Sequence, residues 1–194
     1  MQNFLIQDRL PEGIYIESRP APAPFGLFYH HSYLTYRDGK GQVEVIRGGP
    51  NTRLAENGTI VVEAGIPLEH SKDAYAIGED GASRGATKLN LAGREAKEVW
   101  QTMIEVARAV EALELGYDVT NEFILGEPMR NSNSVVAHVM EMSGVPVTFG
   151  VLPHGLTVED LPGIENNLIT FDPRAFSRSL RVGLRKKLSS SISC

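Results

Sequence analysis

Cysteine is almost missing: the 194-residue chain carries one, Cys194, its last residue. A single thiol excludes a disulfide framework and a zinc–thiolate cluster, and it leaves no internal cysteine to act as a nucleophile. Long apolar runs are missing too. None approaches the ~20 residues that span a bilayer, so no transmembrane segment is expected. A basic excess is also absent. The 24 acidic residues outnumber the 19 basic ones and the net charge is −5. Duplex nucleic-acid binders carry the opposite balance, so nucleic acid is not an expected partner. The opening stretch MQNFLIQDRLPEG has neither a basic n-region nor an apolar h-region. The expectation is a cytoplasmic protein, or one exported without a cleaved signal peptide. The chain has no H-E-x-x-H, no C-x-x-C and no phosphate loop, and neither a metal nor a cofactor is expected.

What is present is ordinary globular material, 42% hydrophobic and 22% charged. The length suits one core. A single domain over 1–194 is expected, with a proline-rich connector over 18–26 (Pro20, Pro22 and Pro24) and a basic tail over 174–194. Six basic residues and no acidic ones lie between Arg174 and Lys187, which leaves 13 basic against 24 acidic residues elsewhere. That tail reads as a terminal helix docked on an acidic body, ahead of a disordered SSSISC end. The competing reading is a basic amphipathic segment for an acidic partner or a membrane surface.

Strand patterns come first along the chain. GIYIES alternates, LFYHHSYLTY is rich in aromatic and β-favouring residues, and the turn RDGKG joins it to QVEVIRGGP as a hairpin. TIVVEAGIPL and DAYAIG are further strand candidates. Ala82 to Gly93 is polar and glycine-rich and reads as a loop. Arg94 to Leu115 carries Val99, Met103, Val106, Val110 and Leu113 at spacings of three and four, which predicts a helix with Gly116 as its C-cap. A second helix is predicted from Ser132 to Met142, ended by Gly144. Pro146 to Leu168 should be irregular. Strands followed by helices, without βα alternation, define an α+β fold: a small antiparallel sheet packed against helices.

Two stretches carry chemistry. In Asn131-Ser132-Asn133-Ser134, Asn131 and Ser132 are N-cap types, so Ser132 lies at a helix start. Free backbone N–H groups there favour negative charge and can stabilise an oxyanion. In Tyr29-His30-His31-Ser32-Tyr33, two adjacent histidines on a strand point to opposite faces. Either is a candidate general base near neutral pH. On the partner strand, Glu44 and Gln42 share a face, and Glu44 is the candidate to orient the imidazole. Each residue also has a plain reading: a helix cap, a structural histidine, a solvated carboxylate.

A histidine opening a strand, a partner strand ending in a glycine turn, a long helix, and then an Asn-x-Asn-Ser helix start together resemble the circularly permuted, NlpC-type branch of the papain-like family. Lecithin retinol acyltransferase-like and PPPDE-type proteins belong to that branch. The resemblance covers Phe28 to Val145. It implies a papain-like α+β fold and a hydrolase or acyltransferase acting on an amide, peptide or acyl bond. The catalytic set would be Ser132 as nucleophile, His31 as base and Glu44 as orienting group. A peptide, peptidoglycan-like or acyl substrate follows. A secreted bacterial effector acting on cell wall or lipid is one form of this expectation, by analogy alone. Serine stands where the family has cysteine. It is a native serine nucleophile, the mark of an inactive relative serving as a binding or interaction module, or a cysteine replaced by mutation; the sequence leaves these open.

Two rivals are weaker. Gly81-Ala82-Ser83-Arg84-Gly85 matches a nucleophile elbow, but no apolar strand precedes it and no helix follows. His138 and Glu141 stand one helical turn apart, but two ligands do not make a zinc site, and surface placement is expected for both.

Overall fold

The computed structural model describes residues 10–21, 29–51, 58–74, 85–118, 129–166 and 168. The basic tail, the prolines at 22 and 24, and the Ser83 elbow lie outside them.

Among the described residues five strands form one antiparallel sheet: β1 (Gly13–Pro20), β2 (His30–Arg37), β3 (Val43–Pro50), β4 (Ile60–Pro67) and β5 (Ala86–Lys88). Their order is β4-β3-β2-β1-β5. Two helices follow, α1 (Ala96–Glu111) and α2 (Ser132–Met142). Helix α1 lies along β4 and α2 lies on β2 and β3. The α+β expectation of an antiparallel sheet packed against helices holds. The absence of a doubly wound parallel sheet among these residues removes the setting that the Ser83 elbow needs.

The β2–β3 hairpin forms where the turn signal lies. Asp38 Oδ1 accepts from the backbone N–H groups of Lys40 (2.7 Å) and Gln42 (3.0 Å), which folds the loop back on itself. This turn sets the register: Leu34 faces Ile46 and Tyr36 faces Glu44. Period-two alternation then sorts the side chains. Ile14, Ile16, Leu34, Tyr36, Ile46, Ile60, Val62 and Ala64 turn to the helices and join one apolar cluster with Val99, Trp100, Met103, Val135, Val136 and Val139. The opposite face carries polar residues of the same strands.

Two glycines let the helices approach. A Cβ at Gly48 would lie 2.8 Å from Val135 Cγ2, so α2 rests directly on the β3 backbone. Gly65 has φ of +69°, and its Cβ would lie 2.7 Å from Ile104 Cδ1 on α1.

Several sequence expectations change. The chain from Ser18 to Pro20 is strand, not connector: it pairs with His30–Ser32, and Ala21 N–H extends the ladder to the Tyr29 carbonyl. Within the expected 82–93 loop, Ala86–Lys88 pairs with Tyr15–Glu17. Three residues this short show no strand pattern alone; β1 recruits them through an unpaired edge. The expected Asp73–Gly78 strand leaves the described residues after Ala74, and Asp73 itself lies in a turn. Helix α1 stops at Glu111, because the chain turns at Ala112 and Glu114 adopts φ of 51°. Leu113 is therefore outside the helix, and Val106 is half-buried at the core margin. Helix α2 matches its expected bounds, with Gly144 at φ of 72° just beyond it. No helix among the described residues is long and apolar enough to cross a membrane.

Candidate functional site

The Asn-Ser-Asn-Ser stretch divides its work. Asn131 is the N-cap of α2: its side chain accepts from the N–H groups of Asn133 (2.9 Å) and Ser134 (3.1 Å). Ser134 Oγ returns the bond by accepting from Asn131 N–H at 2.8 Å, a complete capping box. Asn133 joins the helix to β2. Its Oδ1 accepts from Ser32 N–H and Ser32 Oγ, both at 2.8 Å, and its Nδ2 donates to the His30 carbonyl at 3.1 Å. Asn131 and Asn133 both donate to the Pro162 carbonyl, at 2.9 and 3.1 Å, which ties the 160–164 turn to the helix start. Ser132 takes no part in the capping box. It lies near the Tyr117 phenol, whose pKa burial raises and Ser132 partly offsets.

The strand residues on either side of His31 are therefore both bonded to the residue after Ser132. The two chemistry-bearing stretches, about a hundred residues apart in sequence, meet at one end of the sheet.

His31 is buried on the face turned away from the helices. Its Nε2 lies 2.8 Å from Asp73 Oδ2, and Arg19 Nε (2.5 Å) and Arg47 Nε (2.6 Å) hold the same carboxylate. Arg47 also faces Glu63 across β3–β4, at 3.9 Å. Burial lowers the His31 pKa below its ordinary value of 6.5, against the pull of Asp73, and the two guanidiniums push the same way. The ring is thus neutral at pH 7. Asp73 can only accept, so Nε2 carries the proton and Nδ1 is the basic nitrogen. Burial would raise the Asp73 pKa, but His31, Arg47 and Arg19 overcome it and hold the carboxyl well below the usual carboxylate range.

Glu44 does not orient His31. It lies opposite Tyr36 on the helix-facing side of the sheet, where its Oε2 accepts from Trp100 Nε1 at 2.6 Å. The pleat sets Glu44 and His31 on opposite faces. Asp73 supplies the carboxylate. Nothing in the sequence around it, Ser71-Lys72-Asp73-Ala74, distinguished it from the other acidic residues; only folding of the turn after β4 brings it under β2.

His30 takes the helix-facing side, and its backbone N–H donates to the Asp160 carbonyl at 2.7 Å. His138 is buried in α2, not on the surface, while Glu141 is exposed as expected. Among the described residues no group of three or more His, Cys, Asp or Glu is placed to hold a metal ion. Comparison with family models, with curated proteins and with solved structures yields no match.

Proposed function

We propose that the protein is a papain-like hydrolase or acyltransferase acting on an amide, peptide or acyl bond, with Ser132 as nucleophile and His31 as base. Asp73 takes the orienting role in place of Glu44. The observation that carries the reading is the Asn133 clamp, which seats the start of α2 against the backbone on both sides of His31; the imidazole itself bonds Asp73 on the other face of β2, so it must turn to Ser132 for the reaction. The Asp73 bond supports it, because it fixes the imidazole tautomer with Nδ1 as the acceptor nitrogen.

In this reaction the Ser132 Oγ–carbon bond forms as the hydroxyl proton passes to His31 Nδ1. The carbonyl π pair moves onto oxygen. The tetrahedral species then collapses, and His31 returns the proton to the departing amine or alkoxide. Water, or a second acceptor, releases the acyl group by the same steps. A family peptide or peptidoglycan-like substrate, or an acyl lipid, meets this chemistry equally.

Oxygen and sulfur separate the reading from its rival. A thiol has a reference pKa of ~8.5 and a helix start beside a histidine lowers it, whereas a serine hydroxyl there stays protonated. Ser132→Cys, made with Cys194→Ser, should alkylate with iodoacetamide at pH 7 faster than a free peptide thiol. Adding His31→Ala should remove the excess. An introduced thiol no more reactive than a peptide thiol would instead favour a non-catalytic binding module. That second reading draws on the His31 imidazole, whose bond runs to Asp73 on the face of the sheet turned away from α2.

A further inference from the structure

The catalytic reading leaves His30 unused, although it lies on the face of β2 that α2 covers. The β1–β2 register runs unbroken to its end, where Pro20 faces His30. Side chains two apart on the strand therefore share a face. Ser32 turns to α2, where its hydroxyl donates to Asn133 Oδ1 at 2.8 Å, and Leu34 joins the apolar cluster. His30 turns the same way, while His31 turns to Asp73 on the other side.

The backbone of His30 is held twice. Its N–H donates to the Asp160 carbonyl at 2.7 Å, and its carbonyl accepts from Asn133 Nδ2 at 3.1 Å. The imidazole thus starts from a fixed point beside the residue that follows Ser132. Its Nδ1 is buried and has no hydrogen-bond partner among the described residues. The Asp160 carboxylate is engaged elsewhere, accepting from the N–H and hydroxyl of Thr157 at 2.8 and 2.9 Å. An unpaired buried nitrogen works against the stability of the resting fold, and a functional contact is one reason for a fold to keep it.

We propose that His30 is a substrate-binding residue of the Ser132 site and that the substrate is a peptide: Nδ1 makes in the complex the hydrogen bond that it lacks in the resting protein. This rests on the catalytic reading above and adds a substrate class to it. A neutral imidazole nitrogen accepts or donates according to its tautomer. A peptide backbone offers both an N–H and a C=O, so it satisfies either tautomer. The hydrocarbon of an acyl lipid offers neither.

Two probes of Ser132 separate recognition from reactivity. An alkyl fluorophosphonate carries no peptide: the Ser132 Oγ–phosphorus bond forms, the phosphorus–fluorine bond breaks, fluoride leaves, and the hydroxyl proton passes to His31. With a diphenyl phosphonate built on acetyl-alanyl-alanine the same bond forms, one phosphorus–phenoxide bond breaks, and the phenoxide leaves with that proton. His30→Phe keeps a ring and removes Nδ1. One lost hydrogen bond predicts labelling by the peptidyl phosphonate about three- to tenfold slower in His30→Phe, with the alkyl rate unchanged. His30→Asn, which sets an amide near the Nδ1 position, should recover part of the loss. Equal effects on the two probes, or no effect on the peptidyl one, overturn the assignment of His30 and leave the catalytic reading standing. A wild type that takes the alkyl probe but not the peptidyl one does the same. No His31-dependent labelling of Ser132 by either probe overturns both. A second measurement needs no reaction. Because Nδ1 holds nothing in the resting protein, His30→Phe and His30→Asn should leave the denaturant midpoint where it is or raise it. A fall in either variant makes the ring structural and overturns the proposal.

Discussion

Ile16 and Glu17 are neighbours in β1, both fully buried, and they obey different rules. Ile16 turns to the helices, into the apolar cluster. Glu17 turns to the other face, where its carboxylate accepts from Thr35 Oγ1 (2.7 Å), Arg37 (2.8 Å) and Tyr33 (3.3 Å). The register continues this order along the strands. Arg19 pairs with His31, and Arg47 with Glu63. The helix-facing side stabilises by burying apolar area, and its fit is a matter of volume. The polar side has to satisfy every charge it buries, so its members stand or fall together. That is where Asp73 and His31 lie.

The comparison is tested first by removing the hub of the polar side. Asp73→Ala removes the carboxylate shared by the half-buried Arg19 and the buried Arg47, leaving Arg47 only the longer contact to Glu63 at 3.9 Å. Breaking a buried pair in this way costs about 3–5 kcal/mol, read as a drop in the denaturant midpoint at unchanged slope. A loss under about 1 kcal/mol would mean that the cluster is solvated and that the two faces do not differ as argued.

The apolar side breaks by volume instead. Gly48→Ala drives a methyl to within 2.8 Å of Val135, and α2 must shift or Val135 must change rotamer. Overpacking of this kind costs about 1–3 kcal/mol. Because α2 carries Ser132 and Asn133, the same substitution should slow any reaction at Ser132. Val135→Ala in the Gly48→Ala background should restore part of the stability, which a purely electrostatic effect would not allow.

Most of this architecture is legible in the chain. The alternation in GIYIES and TIVVEAG, the turn at Asp38-Gly39 and the apolar spacing of α1 and α2 are local signals, and each produced the element it predicted. Asn131 followed by Ser132 marked the α2 start for the same reason. What could not be read is set by long-range geometry. Assigning Glu44 to His31 required knowing the parity of the β2–β3 register. A slip of one residue turns every side chain to the other face, and the register is fixed by the whole turn rather than by either strand. Asp73 reaches the site from a turn, which carries no period. The family resemblance pointed to His31 and Ser132 but was silent on Asp73.

A smaller effect is expected where the two faces meet. Asn131→Ala removes the acceptor for two first-turn N–H groups and the bond to the Pro162 carbonyl. Loss of an N-cap costs about 1 kcal/mol. Ser134 and Asn133 remain, so α2 should keep its length by circular dichroism while the amides at 133 and 134 exchange faster with solvent.

The smallest expected effect is the sharpest test of which side each carboxylate serves. His31 has a folded pKa below its unfolded value of 6.5. Between those two values the unfolded chain binds the proton and the folded protein does not. Stability therefore rises with pH across that window and falls as the pH drops through about 6.5. Asp73, also depressed, adds loss of the same sign, but only once the pH falls through its unfolded value of 3.8. The two contributions are separate on the pH axis. Glu44→Gln keeps an acceptor for Trp100 Nε1 on the far side of the sheet. It should cost at most about 1 kcal/mol, equally at pH 7 and pH 5, and leave the His31 titration seen by NMR unmoved. Asp73→Asn removes the group that raises the His31 pKa, and should drive that titration lower still. If Glu44→Gln shifts His31 and Asp73→Asn does not, the assignment of the two carboxylates is reversed and the register argument fails with it.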